Sequence, residues 1–382
     1  RIKYYRHGPA SYVDQTGRLV LVGENIPRFD HDIATRECKG LLVEGARTNL
    51  ATNSTLKTSG AESNITKTRA EGPDGVSDSA LQVTFTASGS AFLRSGAVSC
   101  SASTEYTFSI WIKKVSGTVN GTGAFYSYLT GSSSHGLFTT SGLVNTEGQT
   151  LNAQPTGVWR RFTQTKTTPS GTSAIDFVLP GYDSNGLVLQ YYGLQLEAGN
   201  TASSFIPTYG YTQTRGADVA TIEGEDFTEW YNDLEGTIFT SHSLNSGVGN
   251  GANNYVLEIG DAGSTHVAFR LQDVNSSYSN NPSWGSIYSG SATARFTGTG
   301  TFTRGNKVKS IMSGKASDFA GTFNGETVQT DTSGSFFGPG TTGVMSIGRY
   351  GPSIGYELEG HIQRIMYWPK QLTDTQLVTL TS

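Results

Sequence analysis

The sequence predicts an all-β protein that contains more than one sandwich. Only 15% of the 382 residues are charged, whereas glycine occurs 48 times and aromatic residues make up 11% of the chain. This balance is typical of many short strands joined by tight turns rather than of helices rich in Ala, Glu and Lys. Because single cores rarely grow beyond about 250 residues, the length indicates two to three domains.

The first 50 residues mix aromatic residues with turn formers and are too few and too polar for a core of their own. The run Leu19–Val22 is β-like, and Pro27 favours extended backbone in the residue before it. We therefore predict that residues 1–50 form an extended arm that packs on neighbouring parts of the protein.

Residues 51–215 are predicted to form a first sandwich. Short strand-like segments recur there roughly every 10 to 20 residues, the spacing of a sandwich or jelly roll. In "YTFSIWIK" the residues Tyr106, Phe108, Ile110 and Ile112 fall on one face and the intervening residues fall on the other. This period of two is expected for a strand that buries one face in a core.

Residues 216–382 are predicted to form a second sandwich, after a polar connector near 210–225. The pair Asn324-Gly325 predicts a hairpin turn of type I′, because both central residues of that turn need positive φ. Thr373 and Gln376 have the capping-box spacing of a short terminal helix. We expect that helix to cover a sheet edge or the mouth of the sandwich.

Charge and hydropathy exclude two classes of partner. The net charge of −4 and the pI of about 5.9 give no basic surface for nucleic acid, since nucleic-acid-binding domains usually have a pI above about 9. Apolar runs fall short of the roughly 20 residues of a membrane-spanning helix, so membrane insertion is not expected. The two cysteines, Cys38 and Cys100, are too few for a disulfide framework.

Candidate catalytic and metal-binding motifs have simpler interpretations. The segment "GPSIG" at 351–355 matches G-x-S-x-G, but that motif needs a strand-to-helix elbow and the next segment alternates like a strand, which favours a plain turn. Asp30-His31-Asp32 lacks the ligand spacing of a calcium loop and is interpreted as a solvated turn. The six histidines show no metal-site spacing, so we predict no metal, no cofactor and no enzymatic activity.

Glycoside hydrolysis would need two carboxylates on opposite sides of a bond. The sequence cannot pair any of its carboxylates across a cleft, so solvated surface charges are the favoured interpretation for the acidic residues that stand in or near strands: Glu197, Glu258, Asp261, Asp273 and Glu326.

The segment 272–290 is the best local candidate for a binding site. Tyr278, Trp284 and Tyr288 lie there among Asn, Ser and Gly. Aromatic rings flanked by amides and hydroxyls suit sugars, because ring faces stack on apolar CH groups while polar groups bond the hydroxyls. The alternative is a long loop whose aromatic residues pack back onto the sandwich or on a neighbouring subunit.

Four stretches resemble one family. The phrase "PRFDHDIATRECKGLLVEGARTNL" at 27–50 resembles a segment of bacteriophage tail-fibre and other virion appendage proteins that precedes a carbohydrate-module-like jelly roll. The stretches "YYGLQLEAGNTASSFIPTYGYTQTRGADVATI" and "FTEWYNDLEGTIF" resemble the same group. The terminal "GHIQRIMYWPKQLTDTQLVTL" is similar to the last strand and closing helix of concanavalin-like (laminin-G-like) sandwiches.

The resemblance implies a jelly roll at 51–215, a concanavalin-like sandwich at 216–382, and a place in a virion as a tail fibre or other external appendage. It also implies a homotrimer that contacts other virion proteins and binds a bacterial surface polysaccharide. A capsid or tail decoration protein without a receptor, and a polysaccharide-degrading enzyme or its accessory chain, are the alternatives. We further predict a structural latch at Arg47, Thr48 and Asn49, which would pin irregular backbone to the first sandwich.

Overall fold

The computed structural model describes most of the chain: residues 2–57, 60–119, 125–132, 135–145, 148–182, 184–245, 254–261, 266–273, 284–289, 291–298, 305–333, 336, 343–351 and 356–382. The fold is all-β, with antiparallel sheets that form sandwiches, which confirms the predicted class. No helix within these ranges is long and apolar enough to cross a membrane.

The first sandwich consists of a five-stranded and a six-stranded sheet. The five-stranded sheet has the order β13-β12-β16-β10-β7, and the six-stranded sheet has the order β14-β15-β11-β17-β9-β8. Two 3-10 turns lie between strands, at Thr140–Gly142 and Leu151–Ala153. The strands are β7 (Glu62–Ser63), β8 (Ile65–Ala70), β9 (Ala80–Phe85), β10 (Phe92–Ser99), β11 (Glu105–Ser116), β12 (Tyr126–Thr130), β13 (His135–Thr139), β14 (Val144–Asn145), β15 (Trp159–Thr167), β16 (Ala174–Val178) and β17 (Val188–Ala198).

The second sandwich contains strands from both ends of the chain. Its C-terminal part consists of β19 (Val219–Glu223), α1 (Glu225–Thr228), β20 (Glu235–Leu244), β21 (Asn254–Asp261), β22 (His266–Asp273), β23 (Trp284–Ser289), β24 (Ser291–Thr297), β25 (Val308–Lys315), β26 (Asp318–Phe323), β27 (Gln329–Asp331), β28 (Gly343–Ile347), β29 (Gly360–Trp368) and α2 (Asp374–Thr381).

Segment 1–50, predicted as an arm, contributes strands to both sheets of this sandwich. These are β1 (Lys3–Tyr5), β4 (Phe29–His31) and β5 (Cys38–Val43). One sheet has the order β1-β19-β28-β21-β22-β23-β24, and the other has the order β27-β26-β25-β20-β29-β5-β4. The hairpin of β2 (Ala10–Val13) and β3 (Leu19–Val22) and the pair of β6 (Arg47–Asn49) with β18 (Gln213–Arg215) stand apart from these sheets. The division at 1–50, 51–215 and 216–382 stays a prediction.

The period of two in β11 is confirmed. Tyr106, Phe108, Ile110 and Ile112 all lie in the core between the sheets of the first sandwich. On the opposite face, Trp111 is buried in a separate cluster with residues of the β2–β3 hairpin. The hairpin therefore covers part of the outer face of the six-stranded sheet.

Two local predictions in the second sandwich are also confirmed. Asn324 and Gly325 have φ values of 46° and 74°, and the amide of Glu326 donates to the Phe323 carbonyl at 2.9 Å, which closes the turn. Thr373 and Gln376 form the capping box at the start of α2. The helix does not cover a sheet edge, however, because its apolar residues pack with those of β20, β25 and β26 on the outer face of that sheet.

Candidate functional site

The structure does not place the three predicted sugar-binding aromatic residues as a group. Tyr278 lies outside the described residues. Trp284 and Tyr288 lie in β23, where their backbones pair with Gln272 and Val267 of β22, and their side chains lie outside the description. The site predicted at 272–290 therefore stays a prediction.

A different group of aromatic residues lies on the outward face of the five-stranded sheet. Tyr126 and Tyr128 alternate along β12 with the buried residues Ser127 and Leu129. Their ring centroids are 5.3 Å apart, and their hydroxyl oxygens are 3.2 Å apart. The ring of Tyr182 lies edge-on to that of Tyr126, with the centroids separated by 5.8 Å. Three tyrosine rings thus form one partly exposed patch.

Arg94 and Asp176 lie beside these rings. A guanidinium nitrogen of Arg94 is 2.6 Å from the Asp176 carboxylate, and the guanidinium carbon is 4.4 Å from the centroid of the Tyr128 ring. Strand pairing produces this arrangement, because Tyr128 of β12 is directly opposite Asp176 of the neighbouring strand β16. We call the following set the tyrosine face: Arg94, Tyr126, Tyr128, Asp176 and Tyr182.

A β-bulge in β10 lies beside Arg94 and Asp176 and contributes to the position of the Asp176 carboxylate. The pairing register of β10 with β16 shifts between Arg94 and Ala97, and Gly96 within the bulge has φ of 86°. Its amide donates to the Asp176 carboxylate at 3.1 Å. Glycine adopts positive φ without steric cost, and bulges are common where a strand must redirect side chains beside a functional site.

The tyrosine face is close to electrically neutral. The side chains of Arg94 and Asp176 are 27% and 16% exposed, and each offsets the charge of the other. Burial, reinforced by the neighbouring Tyr128 hydroxyl, raises the pKa of Tyr126. At neutral pH its hydroxyl is therefore an uncharged group that both donates and accepts hydrogen bonds.

This arrangement has the chemistry of a sugar-binding surface. Ring faces can stack on the apolar CH groups of a pyranose, while the hydroxyls and the Arg94–Asp176 pair can bond its hydroxyls. Nothing in the sequence shows that β10 and β12 lie on either side of β16. The i, i+2 spacing of Tyr126 and Tyr128 in "GAFYSYL" was the available signal, because such tyrosines share one face of a strand.

The predicted latch residues differ in their contacts. Asn49 is fully buried, and its amide nitrogen donates to the carbonyls of Leu194 at 3.2 Å and Ile206 at 2.9 Å. Its side-chain oxygen accepts from the amides of Ala51 at 3.0 Å and Leu196 at 3.2 Å. These bonds tie β6 to β17 and to the segment that follows β17.

Arg47 and Thr48 make weaker contacts. Arg47 is 24% exposed and lies 3.7 Å from Glu197 and 3.9 Å from Glu359, one carboxylate from each sandwich. The Thr48 hydroxyl pairs with that of Thr214 at 2.7 Å in an exposed position. The latch stays a prediction. Of its three residues, Asn49 makes the most buried hydrogen bonds and is the strongest candidate for that role.

Sequence reasoning missed a buried ionic cluster beside the latch. Glu44 is 1% exposed, and its carboxylate accepts hydrogen bonds from Arg28 at 2.8 Å, from Arg215, and from the hydroxyl of Ser204 at 2.7 Å. The carboxylate of Asp218 accepts from Arg28 at 2.6 Å and from the Glu44 amide at 2.8 Å. We call this set the Glu44 junction: Arg28, Glu44, Ser204, Arg215 and Asp218.

The residues of the Glu44 junction come from the stretches that carry the family resemblance. Arg28 and Glu44 belong to the phrase at 27–50, while Ser204, Arg215 and Asp218 belong to the stretch at 191–222. The two parts meet where the chain passes between the sandwiches. The stretch "VEGARTNL" is charged and polar because Glu44 and Asn49 make buried hydrogen bonds at this crossing.

The carboxylates around the junction differ in their pKa. Burial raises the pKa of Glu44, but the guanidiniums of Arg215 and Arg28 more than offset this and hold it well below its usual range. Burial raises the pKa of Glu197 and Glu359, where the opposing hydrogen bonds and charges are insufficient. Glu44 is therefore ionised at neutral pH, and both of its carboxylate oxygens accept hydrogen bonds, which favours a structural role.

The candidate metal and catalytic residues do not converge among the described residues. No group of three or more His, Cys, Asp and Glu side chains could hold a metal ion there. The solvated-turn interpretation of Asp30 is wrong, because Asp30 lies in β4 and its carboxylate is 2.9 Å from the ring of His361. Residues 352–355 of "GPSIG" lie outside the description, and the one histidine that follows them in sequence is the partner of Asp30.

The candidate glycosidase carboxylates are also separated. The interpretation as solvated surface charges is wrong for two of them, because Glu197 is buried in the first sandwich and Glu258 is buried in the second, where it pairs with Arg270 at 2.8 Å. The side chains of Asp261 and Asp273 lie outside the description. The absence of enzymatic activity stays a prediction.

Comparisons with known proteins give distant likenesses only. No family model matches the sequence, and no curated protein matches it significantly.

A carbohydrate-binding module, "Ruminococcus gnavus IT-sialidase CBM40 bound to alpha2,3 sialyllactose", is 18% identical over 39% of this chain and 83% of its own, with a TM-score of 0.33. The heptameric SAP-like pentraxin of Limulus polyphemus is 14% identical over 40% of this chain and 74% of its own, with a TM-score of 0.32. The LG1-3 region of the laminin alpha2 chain is 10% identical over 73% of this chain and 65% of its own, with a TM-score of 0.29. Likenesses of this degree carry no argument about what this chain binds.

Proposed function

We propose that this protein is a non-catalytic, glycan-binding subunit of a bacteriophage virion appendage such as a tail fibre. The tyrosine face supports the glycan-binding part, because three clustered tyrosine rings lie beside an Arg–Asp pair on an open sheet surface. The sequence resemblance at 27–50 and 191–222 supports the virion part. The proposed location is the outside of the virion, and the proposed ligand is a bacterial surface polysaccharide.

A shallow site of this kind binds a single sugar weakly. The proposed homotrimer would present three such faces, and linked sites can raise overall avidity by roughly 10² to 10⁴ without new contacts. A long polysaccharide with repeated units is therefore a better ligand for this surface than a free monosaccharide.

The test is binding to arrayed bacterial polysaccharides and to whole host cells. Tyr126→Ala and Tyr128→Ala should each weaken binding about tenfold, which corresponds to about 1.4 kcal/mol. Tyr211→Ala is the matched control, because Tyr211 is 62% exposed and lies in the connector outside the tyrosine face. Melting temperatures of all variants would show that the fold is retained.

The outcomes separate the alternatives. Binding that survives both tyrosine substitutions would exclude the tyrosine face. Empty arrays and no cell binding by the unaltered protein would favour a decoration protein without a receptor. Release of oligosaccharides from the polysaccharide over time would favour an enzyme.

A further inference from the structure

The second sandwich contains an apolar hollow between its two sheets. The hollow has a volume of about 660 Å³, within the range of roughly 300 to 1,000 Å³ that is usual for ligand pockets. One sheet contributes side chains of β19 and β28, the other contributes side chains of β29, and the segment after α1 forms a wall. The principal lining residues are Ile222, Trp230, Met345, Ile347, Ile365 and Tyr367.

The wall of the hollow is held in place by its own contacts. The indole nitrogen of Trp230 donates to the Asp226 carbonyl at 2.7 Å, and the ring lies 5.0 Å from that of Tyr367. The Tyr367 hydroxyl accepts from the Asn232 amide at 3.0 Å. Because these side chains are fixed, a ligand would meet a preformed surface and lose little entropy in ordering it.

The segment that forms this wall is strongly acidic. Residues 223–235 contain six Asp and Glu residues and no Lys or Arg, whereas the remaining chain contains 27 basic and 25 acidic residues. The whole negative charge of the protein therefore comes from this segment.

One of these carboxylates lines the hollow, and two others lie close enough to act on the lining residue Tyr367. Glu229 is the carboxylate that lines it. Burial raises the pKa of Tyr367 to about 12, and the charges of Asp233 and Glu235 add to this effect. The nearby Lys3 is already paired with Glu223 at 2.7 Å, so it offsets only one of the six charges.

We propose that this hollow docks a segment of a partner protein in which aliphatic or aromatic side chains are flanked by Lys or Arg. The apolar lining would bury the central side chains, and the acidic rim would attract the flanking cations. A sugar is a poor fit, because the described lining is mainly aliphatic and aromatic and offers few polar groups to its many hydroxyls. An anionic lipid is also a poor fit, because the rim would repel its headgroup. A basic, apolar segment matches both properties of the site.

The experiment uses the full chain and two fluorescently labelled, end-blocked peptides, Lys-Leu-Ile-Leu-Lys and Glu-Leu-Ile-Leu-Glu, with binding followed by anisotropy. The Lys peptide should bind at least tenfold more tightly, and its affinity should fall as NaCl is raised. Glu229→Lys should weaken it several-fold, and Glu105→Lys, an exposed acid at the start of β11 in the first sandwich, should not. Ile222→Trp or Ile365→Trp, which fills the hollow, should abolish binding.

Other outcomes would overturn the proposal. Equal binding of the two peptides would exclude charge complementarity, and unchanged binding by both folded filling variants would exclude the hollow. Concentration-dependent dimerisation that Ile222→Trp removes would assign the hollow to a second copy of this chain, and binding to phosphatidylglycerol vesicles that the same variant removes would assign it to lipid. Tyr126→Ala should leave peptide binding unchanged, so failure here is distinguishable from failure of the glycan proposal.

Discussion

Replacement of Asn49 by Ala tests the latch most directly. The substitution removes four hydrogen bonds from a fully buried side chain. Each such bond contributes about 1 kcal/mol net, and a buried group left without a partner costs more. We therefore expect Asn49→Ala to lower the free energy of unfolding by about 4 kcal/mol. For a cooperative unit of about 150 residues, whose unfolding entropy is about 0.3 kcal/mol/K, the melting temperature should fall by about 13 °C.

The assay is urea and thermal unfolding of the unaltered protein beside three variants. Thr48→Ala should change stability by less than about 0.5 kcal/mol, because its hydroxyl is exposed. Arg47→Ala should cost at most about 1 kcal/mol, because its ion pairs are long and partly exposed to solvent. A cost for Arg47→Ala equal to or above that of Asn49→Ala would refute this reasoning. None of the three variants should change glycan preference.

The remaining predictions concern the junction, the bulge and the terminal helix. Glu44→Gln should cost about 3 to 5 kcal/mol in urea unfolding, as expected when a buried ion pair is broken. Because the pKa of Glu44 is lowered on folding, its contribution is present above about pH 4.5 and lost as the pH falls, so the unaltered protein should lose more stability on acidification than Glu44→Gln. Gly96→Ala and Gly186→Ala, both at positive φ, should each cost about 1 kcal/mol, but only Gly96→Ala should weaken glycan binding. Thr373→Ala should lower stability by about 1 kcal/mol through loss of the helix cap, whereas the exposed Thr375→Ala should be neutral.

Local features of the fold could be predicted from the sequence. The alternation in β11, the turn at Asn324-Gly325 and the capping box at Thr373 each depend on residues only a few positions apart. Their physical causes are the pleat of a strand, the φ preference of turn residues and the unsatisfied amides at a helix start. Such causes act within one element and need no knowledge of its neighbours.

The candidate sites could not be predicted in the same way. The tyrosine face combines side chains of β10, β12 and β16 with Tyr182 from the segment after β16, and the sequence does not specify that these strands are neighbours. The partners of Glu44 lie 16, 160, 171 and 174 positions away. The sequence directed attention to Arg47, which is partly exposed, whereas the charged residues of the junction in that phrase, Arg28 and Glu44, are buried. The role of the Glu44 carboxylate depends on Arg28 and Arg215, and only the folded chain brings these two guanidiniums to it.

The position of the Glu44 junction suggests why two sandwiches need it. The chain leaves the second sandwich after β5, forms the whole first sandwich, and returns to the second sandwich at β19. Glu44 lies at the exit and Ser204, Arg215 and Asp218 lie at the return, so their bonds close a loop of about 160 residues. Closing such a loop costs about 4.5 kcal/mol of chain entropy by the usual logarithmic relation, and the two cysteines, both free, do not bridge it. The hydrogen bonds of the Glu44 carboxylate to Arg28, Ser204 and Arg215 offset part of that cost, because they join the two segments that cross between the sandwiches.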